Sequence, residues 1–119
     1  MGVAALEYAG LSTAAGSGAV DVSAHNTGAT GAAATVSSGS TPATTSAGEL
    51  AMGFYVDSGF HDTLTAGSGW TSRVNVSSAT NMEFVVEDQL PALGATPNAT
   101  ARTGSNTVWL MSTVVFKHS

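Results

Sequence analysis

The sequence predicts an all-β fold: an antiparallel β-sandwich of two sheets and seven to eight strands, jelly-roll or immunoglobulin-like in type. Three observations predict it. Short apolar runs alternate with a period of two, Gly, Ser, Asn and Thr fill the stretches between them, and no long segment keeps a helical period.

The strongest run is Asn106 to Lys117, N-T-V-W-L-M-S-T-V-V-F-K. At the strand period Val108, Leu110, Ser112, Val114 and Phe116 share one face, and Trp109, Met111, Thr113 and Val115 share the other. Both faces are largely apolar, which predicts a central strand met by material on each side. Glu49 to Asp57 is the second strong strand, with Leu50, Met52, Phe54 and Val56 assigned to the core and Ala51, Gly53, Tyr55 and Asp57 to the outside. Asn81 to Asp88 is the third. Met82, Phe84 and Val86 point one way, and Glu83, Val85 and Glu87 the other.

Weaker strands are expected at Val3 to Ala9, with Ala4, Leu6 and Tyr8 on one side, and at Ala19 to Ala24, with Val20 and Val22 inward. Others fall at Ala34 to Ser38, at Thr71 to Val76 and at Ala95 to Thr103, which Pro97 marks as an edge strand. Turn chemistry sits at His25 to Gly28, at Thr41-Pro42 and at Gly104 to Asn106, and the glycine-rich bend Thr65 to Trp70 delivers a tryptophan. Gly31 to Gly48 is low in complexity, yet a break there would leave two pieces too small to bury cores, so residues 1–119 read as one module.

The chain has three Lys and Arg against eight Asp and Glu, a formal net charge of -5 and no cysteine. Arg73, Arg102 and Lys117 form no basic stripe, so nucleic acid is not an expected partner. A disulfide framework and thiolate chemistry are excluded. Met1-Gly2 leads straight into a strand-like run, with neither a basic leader nor a long apolar span, so no membrane partner is expected. The pale, uncharged composition suits a secreted, extracellular module excised from a larger protein.

No constellation for catalysis stands out. There is no G-x-S-x-G, and His25, His61 and His118 are isolated. Asp57, His61 and Asp62 share one loop without calcium or zinc spacing, and Glu87-Asp88 reads as a solvated strand end. The expectation is therefore no catalytic residue, no metal and no cofactor. Asn75-Val-Ser77 and Asn98-Ala-Thr100 fit a glycosylation pattern that is frequent by chance in a chain rich in Ser and Thr.

The aromatics carry the functional expectation. Phe54, Phe84 and Phe116 fall in the phase assigned to the core, whereas Tyr55 and Trp109 fall opposite. On one sheet, with strands about 4.8 Å apart, such rings tile a flat strip. A flat strip rimmed by Asp, Asn and Ser suits a β-linked glucan, whose C–H faces pack on rings while its hydroxyls take hydrogen bonds at the rim. Tyr55 and Trp109 are the expected stacking platforms, Tyr8 and Trp70 the secondary ones, and Asp57 and His61 the hydroxyl partners. For Trp70 taken alone, plugging one end of the core outweighs binding.

At A-L-E-Y-A-G-L (Ala5 to Leu11), A-G-E-L-A-M-G (Ala47 to Gly53), A-G-S-G-W-T (Ala66 to Thr71), V-E-D (Val86 to Asp88) and V-W-L-M-S-T-V-V-F (Val108 to Phe116) the chain resembles bacterial secreted β-sandwich modules, some of which accompany glycoside hydrolases. More narrowly, it is similar to carbohydrate-binding module family 81. That resemblance implies a non-catalytic module, covalently linked to a catalytic domain such as an endoglucanase, that recognises cello-oligosaccharides, mixed-linkage β-glucan and xyloglucan, the chemistry of cellulose. The site residues above come from strand phase, not from the resemblance. The alternative expectation is a structural or adhesive spacer of a bacterial cell-surface protein, without a ligand, marked by exposed edge strands that pair between copies.

Overall fold

The computed structural model describes residues 2–80 and 82–119. It is a two-layer antiparallel β-sandwich of eight strands. A 3-10 turn at Gly16–Ala19 leads into β1 (Val20–Thr30), followed by β2 (Thr35–Ser37), β3 (Leu50–Asp57), β4 (Thr65–Ala66), β5 (Thr71–Val76), β6 (Glu83–Gln89), β7 (Thr100–Arg102) and β8 (Thr107–Phe116). The larger sheet has the order β1-β8-β3-β6-β5 and the smaller one β2-β7-β4. As its pattern predicts, β8 is central, paired with β1 on one side and β3 on the other.

The layers are unequal. In the smaller sheet the strands are two or three residues long, so loops make up most of the second layer. Residues 38–44 extend it without a strand: Ser38, Thr41 and Thr44 donate their N–H groups to the carbonyls of Ala99, Pro97 and Ala95. Ala95 to Thr103 is accordingly not an edge strand. Only Thr100–Arg102 is in the ladder, as its middle strand, and Pro97 precedes it where no ladder donor is needed.

Two other local expectations are corrected. His25 to Gly28 is no turn but the middle of the long β1, because continuous pairing with β8 from Ser23↔Val114 to Thr30↔Thr107 overrides its turn composition. Residues 3–9 form no strand. They cross the outer face of the large sheet, where the ladder positions of the underlying strands are already taken. Their alternation survives, with Ala4, Leu6 and Tyr8 half-buried and Val3, Ala5 and Glu7 exposed. The third strong strand begins at Glu83; Asn81, the expected first residue, lies outside the described residues.

The main correction concerns phase. The core between the sheets is built from Tyr55, Val85, Met111 and Trp109 of the large sheet against Val36, Leu64, Ala99 and Ala101, with Ala66 and Trp70 packed on its margin. The assignment of Phe54, Phe84 and Phe116 to that core is therefore inverted. These rings lie on the outer face, Phe54 being 40 % exposed and Phe84 covered by the segment at Gly2. Glycines on the inner phase explain the fit. A Cβ on Gly28 would lie 2.8 Å from the Trp109 ring, and one on Gly53 would lie 2.7 Å from both Ala99 Cβ and Glu87 Cγ. Both positions are holes that receive a neighbouring side chain.

Gly53→Ala is expected to cost about 1–3 kcal/mol by overpacking, read as a lowered midpoint in urea. Gly31→Ala, where an added Cβ meets nothing within 4 Å, is expected to leave the midpoint within about 0.5 kcal/mol.

Candidate functional site

Tyr55 and Trp109, the expected stacking platforms, face inward at 0 % and 9 % exposure. Tyr55 donates its hydroxyl to Asp57 Oδ2 at 2.5 Å, and burial, then that bond, pushes its pKa up. Asp57 is itself buried, its Oδ1 accepting the Gly59 N–H at 2.9 Å. None of these three can meet a sugar at the surface, so the strip predicted from strand phase does not exist there. Trp70 lies half-buried against the core, the plugging role weighed for it. His61 is exposed in a loop at φ 65°, its N–H donated to the Ser78 carbonyl.

The inner face carries polar groups with a single theme. Glu87 Oε2 accepts the Gly67 N–H at 2.7 Å, and Glu83 Oε1 accepts the Asp62 N–H at 2.7 Å together with the Ser77 hydroxyl. Thr113 Oγ1 accepts the Ala99 N–H at 2.9 Å, and Thr103 Oγ1 the Ala34 N–H at 3.1 Å. Except for the Ser77 hydroxyl, which directly follows β5 of the large sheet, each of these donors belongs to the loop-rich second layer. Glu87 and Asp88 are therefore not a solvated strand end; both are buried, on opposite faces of β6. Burial pushes the Glu87 carboxyl up to about 7 against the opposing pull of the Gly67 and Thr100 N–H groups, and its Oε1 has no partner among the described residues. Glu49, fully buried, is likewise raised by burial and by the neighbouring Asp21 carboxylate.

Asp88 works on the outer face. Tyr8 donates its hydroxyl to Asp88 Oδ2 at 2.7 Å, and Arg73 Nε donates to the same oxygen at 2.7 Å. Burial opposes the Asp88 charge, but the bonds from Arg73 and Tyr8 outweigh it and hold the carboxyl below its usual range. Burial and the Asp88 bond push the Tyr8 phenol up to about 12. This latch pins the 2–11 strap across the sheet. At its far end Leu11 bridges His118, the Ser12 N–H donates to the Lys117 carbonyl at 2.8 Å and the Ser119 N–H to the Gly10 carbonyl at 3.0 Å. Between strap and sheet lies an apolar cleft of about 410 Å³, lined by Gly2, Val3, Ala4, Leu6, Met52, Phe54, Phe84 and Val86.

Beyond the strap the outer face is open. Phe54, Val108 at 65 % and Met82 at 60 % are exposed, and a shallow cleft runs between Val56, Leu110, Val108 and Met82. Polar groups interleave with this surface. In the register of the sheet, Phe54 on β3 lies opposite Ser112 on β8, which lies opposite His25 on β1. Residues directly opposite in an antiparallel pair share a face, so Phe54, Ser112 and His25 form one cross-strand row. Strand phase misassigned this surface; the missed signal was Gly28 and Gly53 in the same phase as Tyr55, the mark of a face receiving large side chains.

Among the described residues no group of three or more His, Asp or Glu is placed to hold a metal, and no helix is long and apolar enough to cross a membrane. Comparison with protein-family models, with curated proteins and with solved structures returned no match.

Two outcomes follow for the carboxylates. A folded pKa near 7 against about 4.5 unfolded means that Glu87 contributes its full stability below about pH 4.5. That contribution is lost as pH rises to about 7, a fall of about 3 kcal/mol at most. Glu87→Gln is expected to remove that fall, read by thermal unfolding from pH 4 to pH 8. Asp88→Asn and Tyr8→Phe are expected to loosen the strap, read as faster hydrogen exchange of amides 3–9 while β6 stays protected.

Proposed function

We propose that the chain is a non-catalytic binding module whose surface is the open part of the outer face, and that its ligand is a β-linked glucan. The observation that carries the reading is the row Phe54–Ser112–His25: an exposed ring with a hydroxyl and an imidazole beside it at strand spacing. A pyranose can lay its C–H face on Phe54 while its rim hydroxyls reach Ser112 and His25, and Val108, four residues along β8 from Ser112 and so about 13 Å away, is left to another sugar of the same chain. Phe54 thus takes the role expected of Tyr55 and Trp109. Contiguous exposed apolar surface rimmed by polar groups is a general mark of recognition sites. The wider expectations belong to the same proposal: secretion, linkage to a catalytic domain in a larger bacterial protein, and kinship with carbohydrate-binding module family 81.

Affinity electrophoresis in mixed-linkage β-glucan, xyloglucan and a soluble cellulose derivative tests it. Retarded migration is expected for the wild type and a loss of about tenfold in affinity for Phe54→Ala, equivalent to about 1.4 kcal/mol. Wild-type migration unchanged in all three gels would sink the glucan reading. Tyr55→Ala and Trp109→Ala serve poorly as site probes, since each opens a core cavity costing about 3–5 kcal/mol.

A further inference from the structure

The sandwich has four sheet edges, and they are not alike. In the small sheet the edges are β2 and β4, three and two residues long, too short to template another strand. In the large sheet the β5 edge carries Arg73 and a register irregularity between Ser72 and Val74, two devices that discourage pairing. The opposite edge, β1, has neither over most of its length. From Ser23 to Thr30 it contains no Lys, Arg, Asp, Glu or Pro, its register with β8 is unbroken, and none of it is fully buried.

Which backbone groups β1 presents can be read from its partner strand. Val108 accepts the Ser58 N–H at 3.0 Å and donates its own N–H to Ser58 Oγ at 3.0 Å, both on the β3 side. Even-numbered residues of β8 therefore face β3 and odd-numbered ones face β1. Asn26 and Gly28, opposite Met111 and Trp109, bond to β8, which turns the N–H and C=O of Ser23, His25, Thr27 and Ala29 away from the sheet. One further bond agrees: the Thr27 N–H is held at 2.9 Å by the Asn26 side-chain oxygen, a partner outside the ladder.

We infer that this edge pairs with the same edge of a second copy of the chain, joining two large sheets into one continuous antiparallel sheet. The strand is self-complementary. Aligned antiparallel about Asn26, it sets His25 opposite Thr27 and Ser23 opposite Ala29 of the second copy, with no like charges facing and with Asp21 outside the paired window. Because the β5 edge is guarded, the contact is isologous and closes at two copies instead of growing into a fibre. The pairing does not rest on the glucan reading, and it extends the outer face of one copy, with His25 at the seam, into that of the next.

Sedimentation velocity between about 10 µM and about 1 mM, a range suited to weak association, tests it. A concentration-dependent dimer is expected for the wild type. Thr27→Pro removes a donor that faces away from β8, a substitution edge strands accept, and is expected to remain monomeric with an unchanged circular dichroism spectrum. Should Thr27→Pro fail to fold, Ala29→Lys places a charge on the same edge and is expected to give the same monomer. A wild type that stays monomeric at about 1 mM, or a folded variant that dimerises as strongly as the wild type, overturns the inference; a wild type that grows beyond a dimer overturns the closure.

Discussion

Everything else in this sandwich follows from the need to supply acceptors for the backbone N–H groups of a layer made mostly of loop. A strand satisfies its neighbours through the ladder, but β2, β4 and β7 are too short to do so for the chain around them. The donors of Ala34, Gly59, Asp62, Gly67 and Ala99 are instead met by side chains of Thr103, Asp57, Glu83, Glu87 and Thr113. An unpaired buried N–H costs about 1–3 kcal/mol, and five such groups would rival the whole stability of a domain this size. This demand draws carboxylates and hydroxyls to the inner face, although an apolar face of the same strands is available.

That choice explains what could be read in advance and what could not. The fold class, the central place of β8 and the existence of β2, β3, β5 and β6 rest on period-two alternation, a local property. Which face of β3, β6 and β8 turns inward is not local when both faces are apolar enough to bury. It was decided by partners distant along the chain: the Gly67 loop for Glu87, and the Ala99 segment for Gly53 and Thr113. Counting hydrophobic residues per face favours Phe54 over Tyr55, yet Tyr55 has a hydroxyl to give to Asp57 and a phase shared with Gly53 and Gly28. The strap was legible as an alternating segment but not as a cover, since nothing in Ala4, Leu6 and Tyr8 distinguishes packing beside a strand from packing across several.

Electrostatics sets how the two carboxylates at the end of β6 behave. Glu87 and Asp88 are adjacent, both buried, and displaced in opposite directions. The partners of Glu87 are the neutral N–H groups of Gly67 and Thr100, so burial dominates and favours the protonated form. Asp88 has the Arg73 guanidinium and the Tyr8 hydroxyl on one oxygen, and charge is favoured despite the same desolvation. One side of β6 thus stores a near-neutral acid within the core, while the other fixes an anion that holds the strap.

Once polar demand has turned Tyr55, Asp57, Glu83 and Glu87 inward, Met52, Phe54, Val56, Phe84 and Val86 must point outward, for strand geometry allows no third direction. Such a face cannot remain wholly bare in a stable monomer without inviting association. The strap covers Phe84 and part of Met52, and its latch at Asp88 determines where cover stops and open surface begins. Phe54 lies at that boundary, lining the cleft beneath the strap while still 40 % exposed. The extent of the open apolar surface is therefore a consequence of the inner hydrogen bonds: they force the apolar side chains out, and the Tyr8–Asp88–Arg73 contact decides how many of them stay uncovered.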